Sequence, residues 1–196
     1  MSMNIPISPV AARTKNAAAT RAAILAAARR RFSKESYDSV GLREIAGDAG
    51  VDVALVSRYF GGKEKLFKEA VGGGDTDWLP PPSAKELPQH LTELFLNFDD
   101  AEHREHAERL LIMVRSSSSP VAASIVREAL TRDILEPLAG RLAGEAPEAR
   151  AGLALAVWMG VTVLRTIMSV EPMCGRKGAV VDAKLALLYE AALSEL

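Results

Sequence analysis

Residues 41–60, GLREIAGDAGVDVALVSRYF, constrain this chain more than any other stretch, because they spell two short helices that must cross closely. With Leu42 as the first position, Ile45, Ala46 and Ala49 fall on the inner face of a helix. Gly50 follows as a tight turn, Val51 plugs the corner, and Val56 and Tyr59 bring a second helix back onto the first. Ala46 is small where the helices approach, and Gly50 can take φ > 0 without steric cost. A pair of this design is a helix-turn-helix, which offers its second helix to the major groove of DNA.

The rest of the chain supports an all-α fold. It has 196 residues, 48% of them hydrophobic, enough for one large or two small cores. Helix-favouring Ala, Leu, Glu and Arg are abundant, and no stretch alternates apolar and polar residues as a half-buried strand would. A single cysteine excludes an internal disulfide and suits a reducing cytoplasm. Net charge is −1, but residues 1–70 hold 12 Lys+Arg against 7 Asp+Glu, whereas residues 71–196 hold 12 against 18. The basic end suits phosphate, and the acidic remainder suits another task.

Two stretches resemble membrane segments. Arg13, Lys15 and Arg21 interrupt the Ala-rich N-terminus, which argues against a signal peptide. Ala151–Val170 is nearly all apolar and long enough to span a bilayer. Arg165 lies inside it, a residue that costs about 2.5–3.5 kcal/mol at a span's centre, so a buried helix of a water-soluble fold is expected.

Along the chain, residues 1–17 read as a flexible arm, and Thr20 as the N-cap of a first helix reaching about Lys34, with Ile24, Leu25, Ala28 and Phe32 on one stripe. Asp52 is placed to cap the helix from Val53 to Phe60, and Gly61-Gly62 opens a fourth. Gly72-Gly73-Gly74 and Pro80-Pro81-Pro82 mark a boundary between a DNA-binding domain over 18–71 and a helical domain over 84–196. In the latter, helices are expected over 84–98, 101–116, 121–142 with a kink or break at Pro137, 148–170 and 180–196.

With Val56 pointing inward, Ala54 and Arg58 face away, with Leu55 and Ser57 on their shoulders. These four are candidates for base edges: Arg58 can pair bidentately with guanine, Ser57 can donate or accept, and Ala54 or Leu55 can touch a thymine methyl. The alternative for Arg58 is a solvated surface charge. Phosphate candidates are Lys63 and Lys65 beside the free N–H groups opening helix four, Tyr59 through its hydroxyl, and Arg43 near the start of helix two. Arg13, Lys15 and Arg21 are placed to reach an adjacent groove, or else belong to a solubilising tail.

The run from TRAAILAAARRRF through LREIAGDAGV to SRYFGGKEKLF resembles the DNA-binding domain of the TetR family of transcriptional repressors, over about residues 18–70. The resemblance implies a cytoplasmic homodimer, a palindromic operator, and a C-terminal helical domain that binds a small effector and dimerises through its last two helices. No cofactor or metal is implied. There are departures. Gly41 stands where the family usually has Ser or Thr. The recognition helix Val53-Ala54-Leu55-Val56-Ser57-Arg58-Tyr59-Phe60 replaces the common Lys-Gly-Thr-Leu-Tyr-His-Tyr-Phe, so the operator sequence is not inherited.

Effector-pocket candidates are the large residues of the central helices: Trp78, Phe95, Phe98, Leu110, Met113, Val114, Trp158 and Met159, with Arg165 as a charged partner for the pocket or the dimer seam. Each of the apolar ones equally suits an ordinary core. An apolar or weakly cationic effector fits the acidic domain. Leu185, Leu188 and Tyr189 form one expected dimer stripe, and Ala156 and Gly160 permit close approach. His103 and His106 have metal-like spacing but sit among charges, as a solvated face does; Arg109 is one of those charges. Cys174 is expected in a loop, and Ser116–Ser119 as a helix end. No phosphate loop, nucleophile elbow or HExxH motif suggests an enzyme. A constitutive DNA-binding dimer without effector is the competing class.

Overall fold

The computed structural model describes residues 9–72, 79, 87–96, 101–174 and 179–195, and among these no strand occurs. The N-terminal helices are α1 (Pro9–Phe32), α2 (Leu42–Asp48), α3 (Val53–Phe60) and α4 (Lys63–Val71). After them come α5 (Leu87–Leu96), α6 (Ala101–Ser116) and α7 (Pro120–Leu130). The chain ends with α8 (Glu136–Ala139), α9 (Pro147–Thr162), α10 (Glu171–Cys174) and α11 (Ala179–Leu193).

Local signals build the head. Ile24, Ala27, Ala28 and Phe32 form the fully buried stripe of α1. The Phe32 ring meets Phe67 edge-on at 5.0 Å, and Tyr37 meets Phe67 at 4.9 Å. Gly41 opens α2 without a capping side chain. Instead its N–H donates to Glu44 Oε2 at 2.8 Å, the half of a capping box that needs no side chain at the cap. Gly50 turns the chain at φ 66°, a conformation that costs other residues strain. Asp52 caps α3 as expected, its Oδ1 accepting from the Ala54 N–H at 2.7 Å. Arg31 ties α1 to α2 through two bonds to Asp48, at 2.6 and 2.9 Å.

The expected arm over 1–17 is corrected from Pro9 onward. There α1 begins, Thr20 lies mid-helix, and its hydroxyl donates to the Asn16 carbonyl at 2.9 Å. Pro9 suits the first helical position, and the alanines that follow propagate the helix. Residues 1–8 lie outside the described residues.

Two apolar cores divide the chain differently from its linker. The first joins α1–α4 to Ile112, Met113, Ala122, Ile125, Val126 and Ala129 of α6 and α7. The second gathers Leu87, Leu91, Leu138, Ala151, Ala154, Leu185 and Tyr189 from α5, α8, α9 and α11. The sequence break near Gly72 is therefore not a break in packing.

Pro137 does not break the helix. A π-turn, Thr131–Leu135, precedes it and leads directly into α8. Proline lacks an N–H and crowds the carbonyl four residues back. Widening the ladder by one residue accommodates both defects. A second π-turn, Val163–Ile167, ends α9. Cys174 ends the single-turn α10 rather than lying in a loop, and its side chain is outside the described set.

The span Pro147–Ile167 is long and apolar enough to cross a membrane, and only 28% of its most apolar window is buried within the chain. The expectation of a buried helix is thus corrected for the single chain. Leu153, Ala156, Gly160 and Leu164 form an exposed stripe on it. Val180, Ala183, Leu187 and Leu188 form another on α11. Leu185 and Tyr189, expected beside Leu188, instead face their own core at 3% and 1% exposure.

Candidate nucleic-acid interface and effector cavity

Burial on α3 separates its two faces. Val56 and Phe60 are buried, Leu55 and Tyr59 half-buried, and Ala54, Ser57 and Arg58 exposed. Asp52 pins the start of this helix, and Gly61, at φ 76°, stops it. The outward face is therefore short, rigid and one-sided, as a groove reader requires. Arg43 on α2 and Lys65 on α4 are also exposed. At the start of α4 the first-turn N–H groups have no intrahelical partner, a geometry suited to a phosphate oxygen.

Lys63 is more embedded than its spacing suggests. Its Nζ lies 4.4 Å from the Tyr37 ring centroid, a cation–π contact. Burial pulls its pKa below the usual lysine value, opposed by Asp38 and Glu44. Burial likewise pushes the Tyr37 hydroxyl up, with Glu64 and Asp38 adding to it. Arg21, expected to reach a groove, is tied down: it pairs with Glu69 at 2.5 Å and lies 4.7 Å from the Phe60 ring centroid. The side chains of Arg13 and Lys15 lie outside the described set.

The head is bolted to the rest through polar contacts that the sequence did not advertise. The Tyr37 N–H donates to Ser116 Oγ at 3.1 Å, and Ser119 Oγ donates to Asp38 at 3.0 Å. Ser119 also caps α7. Ser116–Ser119, expected to be only a helix end, is thus an interdomain joint. Lys68 pairs with Glu128 at 2.7 Å. Arg109, expected on a solvated face, is 7% exposed. It donates to the Val71 carbonyl from Nε at 3.1 Å and from Nη2 at 2.9 Å. Arg109 Nη2 also reaches Asp133 Oδ2 at 3.1 Å. One buried guanidinium thereby holds the last carbonyl of α4 against the π-turn before α8.

An apolar cavity of about 20 Å³ lies in the second core, lined by Leu91, Leu94, Ile134, Leu138, Ala154, Leu155, Trp158 and Tyr189. Burial pushes the Tyr189 hydroxyl well above the ordinary tyrosine range. Of the sequence candidates, Trp158 lines this cavity. Leu110 is buried, and Met113 belongs to the first core. Val114, Met159 and Arg165 are half-buried and outside the lining. Trp78 and Phe98 lie outside the described residues, as do the side chains of Phe95, His103 and His106. The other lining residues were not pocket candidates: Leu, Ile and Ala at helical spacing look like any core, and Tyr189 was read as part of the dimer stripe. Among the described residues no group of His, Cys, Asp and Glu could hold a metal.

Two family models match. "Bacterial regulatory proteins, tetR family" covers residues 24–70, and "Tetracyclin repressor-like, C-terminal domain" covers residues 85–191. Among solved structures the chain is similar to NalD, the secondary repressor of the MexAB-OprM multidrug efflux pump in Pseudomonas aeruginosa. That match has 20% identity and a TM-score of 0.59, covering 88% of this chain and 94% of that one. A tetR-family transcriptional regulator from Streptomyces coelicolor matches at 21% identity and a TM-score of 0.54, covering 88% and 79%. HlyIIR, a hemolysin II transcriptional regulator, matches at 21% and 0.50, covering 90% and 98%. No curated protein matches the chain. A helix-turn-helix head and an effector-type helical body, matched in order along one chain, place it in the TetR family of DNA-binding transcriptional regulators, which are not enzymes.

Proposed function

We propose that this protein is a cytoplasmic homodimeric repressor that leaves a palindromic operator when a small molecule enters its C-terminal domain. The observation that carries the proposal is α3, with Val56 and Phe60 locked into the core while Ala54, Ser57 and Arg58 stand in solvent. The contact set is Ala54, Leu55, Ser57 and Arg58 toward bases, and Arg43, Tyr59, Lys63 and Lys65 toward phosphates. The exposed stripes of α9 and α11 support a dimer through those two helices. The repressing sense is the one NalD's description gives for NalD. Of the pocket candidates, Trp158 stands in the wall of the cavity that would take the effector.

A second reading, a constitutive DNA-binding dimer, is favoured by the smallness of the cavity. Drug-sized ligands occupy about 300–1,000 Å³, far more than this one cavity holds.

Selection of binding sites from random duplexes tests the proposal. A palindrome with half-sites spaced by whole helical turns is expected. Arg58→Ala should cost about 1–3 kcal/mol per half-site on the selected duplex, and little on a scrambled one. Equal weakening on both would make Arg58 a phosphate clamp and move base reading to Ser57 and Leu55. Operator release by any compound in a small-molecule screen would exclude the constitutive reading.

A further inference from the structure

We propose that the cavity takes a small, neutral, apolar molecule, and that its occupancy is passed to α4 through the π-turn Thr131–Leu135 by the Asp133–Arg109 pair. The proposal rests on the effector-released reading above.

The walls decide the ligand class. No charged side chain lines the cavity, so an entering carboxylate or ammonium would lose its hydration and gain no countercharge. A neutral molecule loses almost nothing. This removes the cationic option that the acidic surface of the domain suggested.

The volume decides the mechanism. At about 20 Å³ the cavity has room for little more than a water molecule, so any ligand must move a wall. Most of the lining belongs to α5, α9 and α11, whose ladders are regular there. Ile134 belongs to the π-turn, the one irregular stretch of the lining, where the ladder is already widened ahead of Pro137 and a side chain can reseat without breaking a regular helix. That wall yields first.

Next to Ile134 in the chain is Asp133, 7% exposed. It accepts from Arg109 at 3.1 Å and from Arg132 at 2.6 and 3.1 Å. Asp133 and Ile134 are neighbours on one turn of backbone, so their side chains turn together. Rotating Ile134 out of the cavity therefore swings Asp133 off Arg109. Arg109 is the residue that caps the Val71 carbonyl at the end of α4. With its carboxylate gone, that cap loosens. Helix α4 carries Phe67 into the head core and opens at its other end toward DNA. One rotation thus links a filled cavity to the setting of the head.

Hydrogen exchange of the full-length protein tests this without DNA, by following the amides of residues 68–72 at the end of α4. Saturating indole, a neutral probe, should speed exchange there about tenfold or more, and Ala154→Leu, which fills the cavity from its wall, should do the same. Asp133→Asn should speed it without any probe, and adding indole or Ala154→Leu to that variant should change nothing further, since coupled changes do not add. Decanoate and tetraphenylphosphonium should neither raise the melting temperature nor alter exchange. Unchanged exchange at 68–72 with indole bound, or additive effects in Asp133→Asn, would overturn the coupling. Stabilisation by the charged probes alone, or by no probe, would overturn the ligand class. Should Ala154→Leu not fold, the indole arm on the native sequence decides. A protein that passes here but selects no duplex would fail the proposed function and leave this link standing.

Discussion

The two cores of this molecule are finished differently. The head core closes within one chain: Ile24, Phe32, Ile45, Val56, Leu66 and Phe67 are all fully buried, and α3 keeps Ala54, Ser57 and Arg58 in solvent. The second core does not close. Leu153, Val180, Leu187 and Leu188, from α9 and α11, two of the helices that build it, are each at least half exposed. Large contiguous apolar surface on a folded chain marks a place where another molecule sits. Small Ala156 and Gly160 on the same stripe let a second helix approach closely, and a side chain added at Gly160 would meet nothing within this chain. The head is complete as a fold; the body leaves two apolar helix faces open, which the proposed dimer would cover.

The sharpest way to break this comparison is to charge the open face. Leu153→Glu with Leu187→Glu would put four carboxylates into one dry seam, at a cost of several kcal/mol for each buried charge. The dimer dissociation constant should rise by more than about ten-thousandfold, equivalent to about 5.5 kcal/mol. Sedimentation at micromolar concentration should show monomer. A dimer that survives the double change would place the seam elsewhere. Cutting the chain before α11 would be a poorer test, since it also removes Leu185 and Tyr189 from the protein's own core.

A change in the closed core should behave in the opposite way. Phe67 is fully buried and touches the rings of both Phe32 and Tyr37, so Phe67→Ala should cost about 3–5 kcal/mol. The loss should appear in urea unfolding and persist when protein concentration is varied. The seam variant's loss should shrink on dilution, because the share of native stability that assembly contributes by mass action, and that the variant lacks, falls with concentration. If both losses depend equally on concentration, the head does not fold independently of the dimer.

What the sequence showed follows the range of the forces involved. Gly50 and Asp52 were legible because each acts on backbone within a few residues: one supplies a positive φ, the other accepts an N–H two positions on. Arg109 was not, because its partner Val71 is 38 residues away. Nothing around it on α6 distinguishes it from the charges beside it. Ser116 was missed for the same reason, its partner lying 79 residues away. Gly72 was read as the start of a linker, yet a Cβ there would lie 2.8 Å from the Lys68 carbonyl and 3.1 Å from Arg132. Its smallness serves packing, not flexibility. Pro137 was read as a kink or break because the π-turn that absorbs it leaves no mark in composition. The cavity was less legible than the recognition helix because most of its walls are Leu, Ile and Ala. Of the large residues that drew attention, Trp158 lines it but Met113 sits in the other core.

Lys63 offers the smallest effect and the finest test, because it belongs to both sides of the comparison. From spacing alone it is a phosphate ligand whose loss leaves the fold untouched. Its Nζ over the Tyr37 ring, in a partly buried setting, makes it a packing residue as well. Lys63→Ala should therefore lower stability by about 0.5–1 kcal/mol. It should also weaken all duplexes together and reduce the salt dependence of binding by about one phosphate per half-site. Lys63→Arg separates the two roles: it keeps the charge and can still lie over the ring, so the salt dependence should return while specificity stays as it was. Unfolding curves and binding at several salt concentrations, measured on the same three proteins, check both. A stability loss without a change in salt slope would make Lys63 a staple of the head alone, leaving Lys65 and the N–H groups of α4 to hold the phosphate.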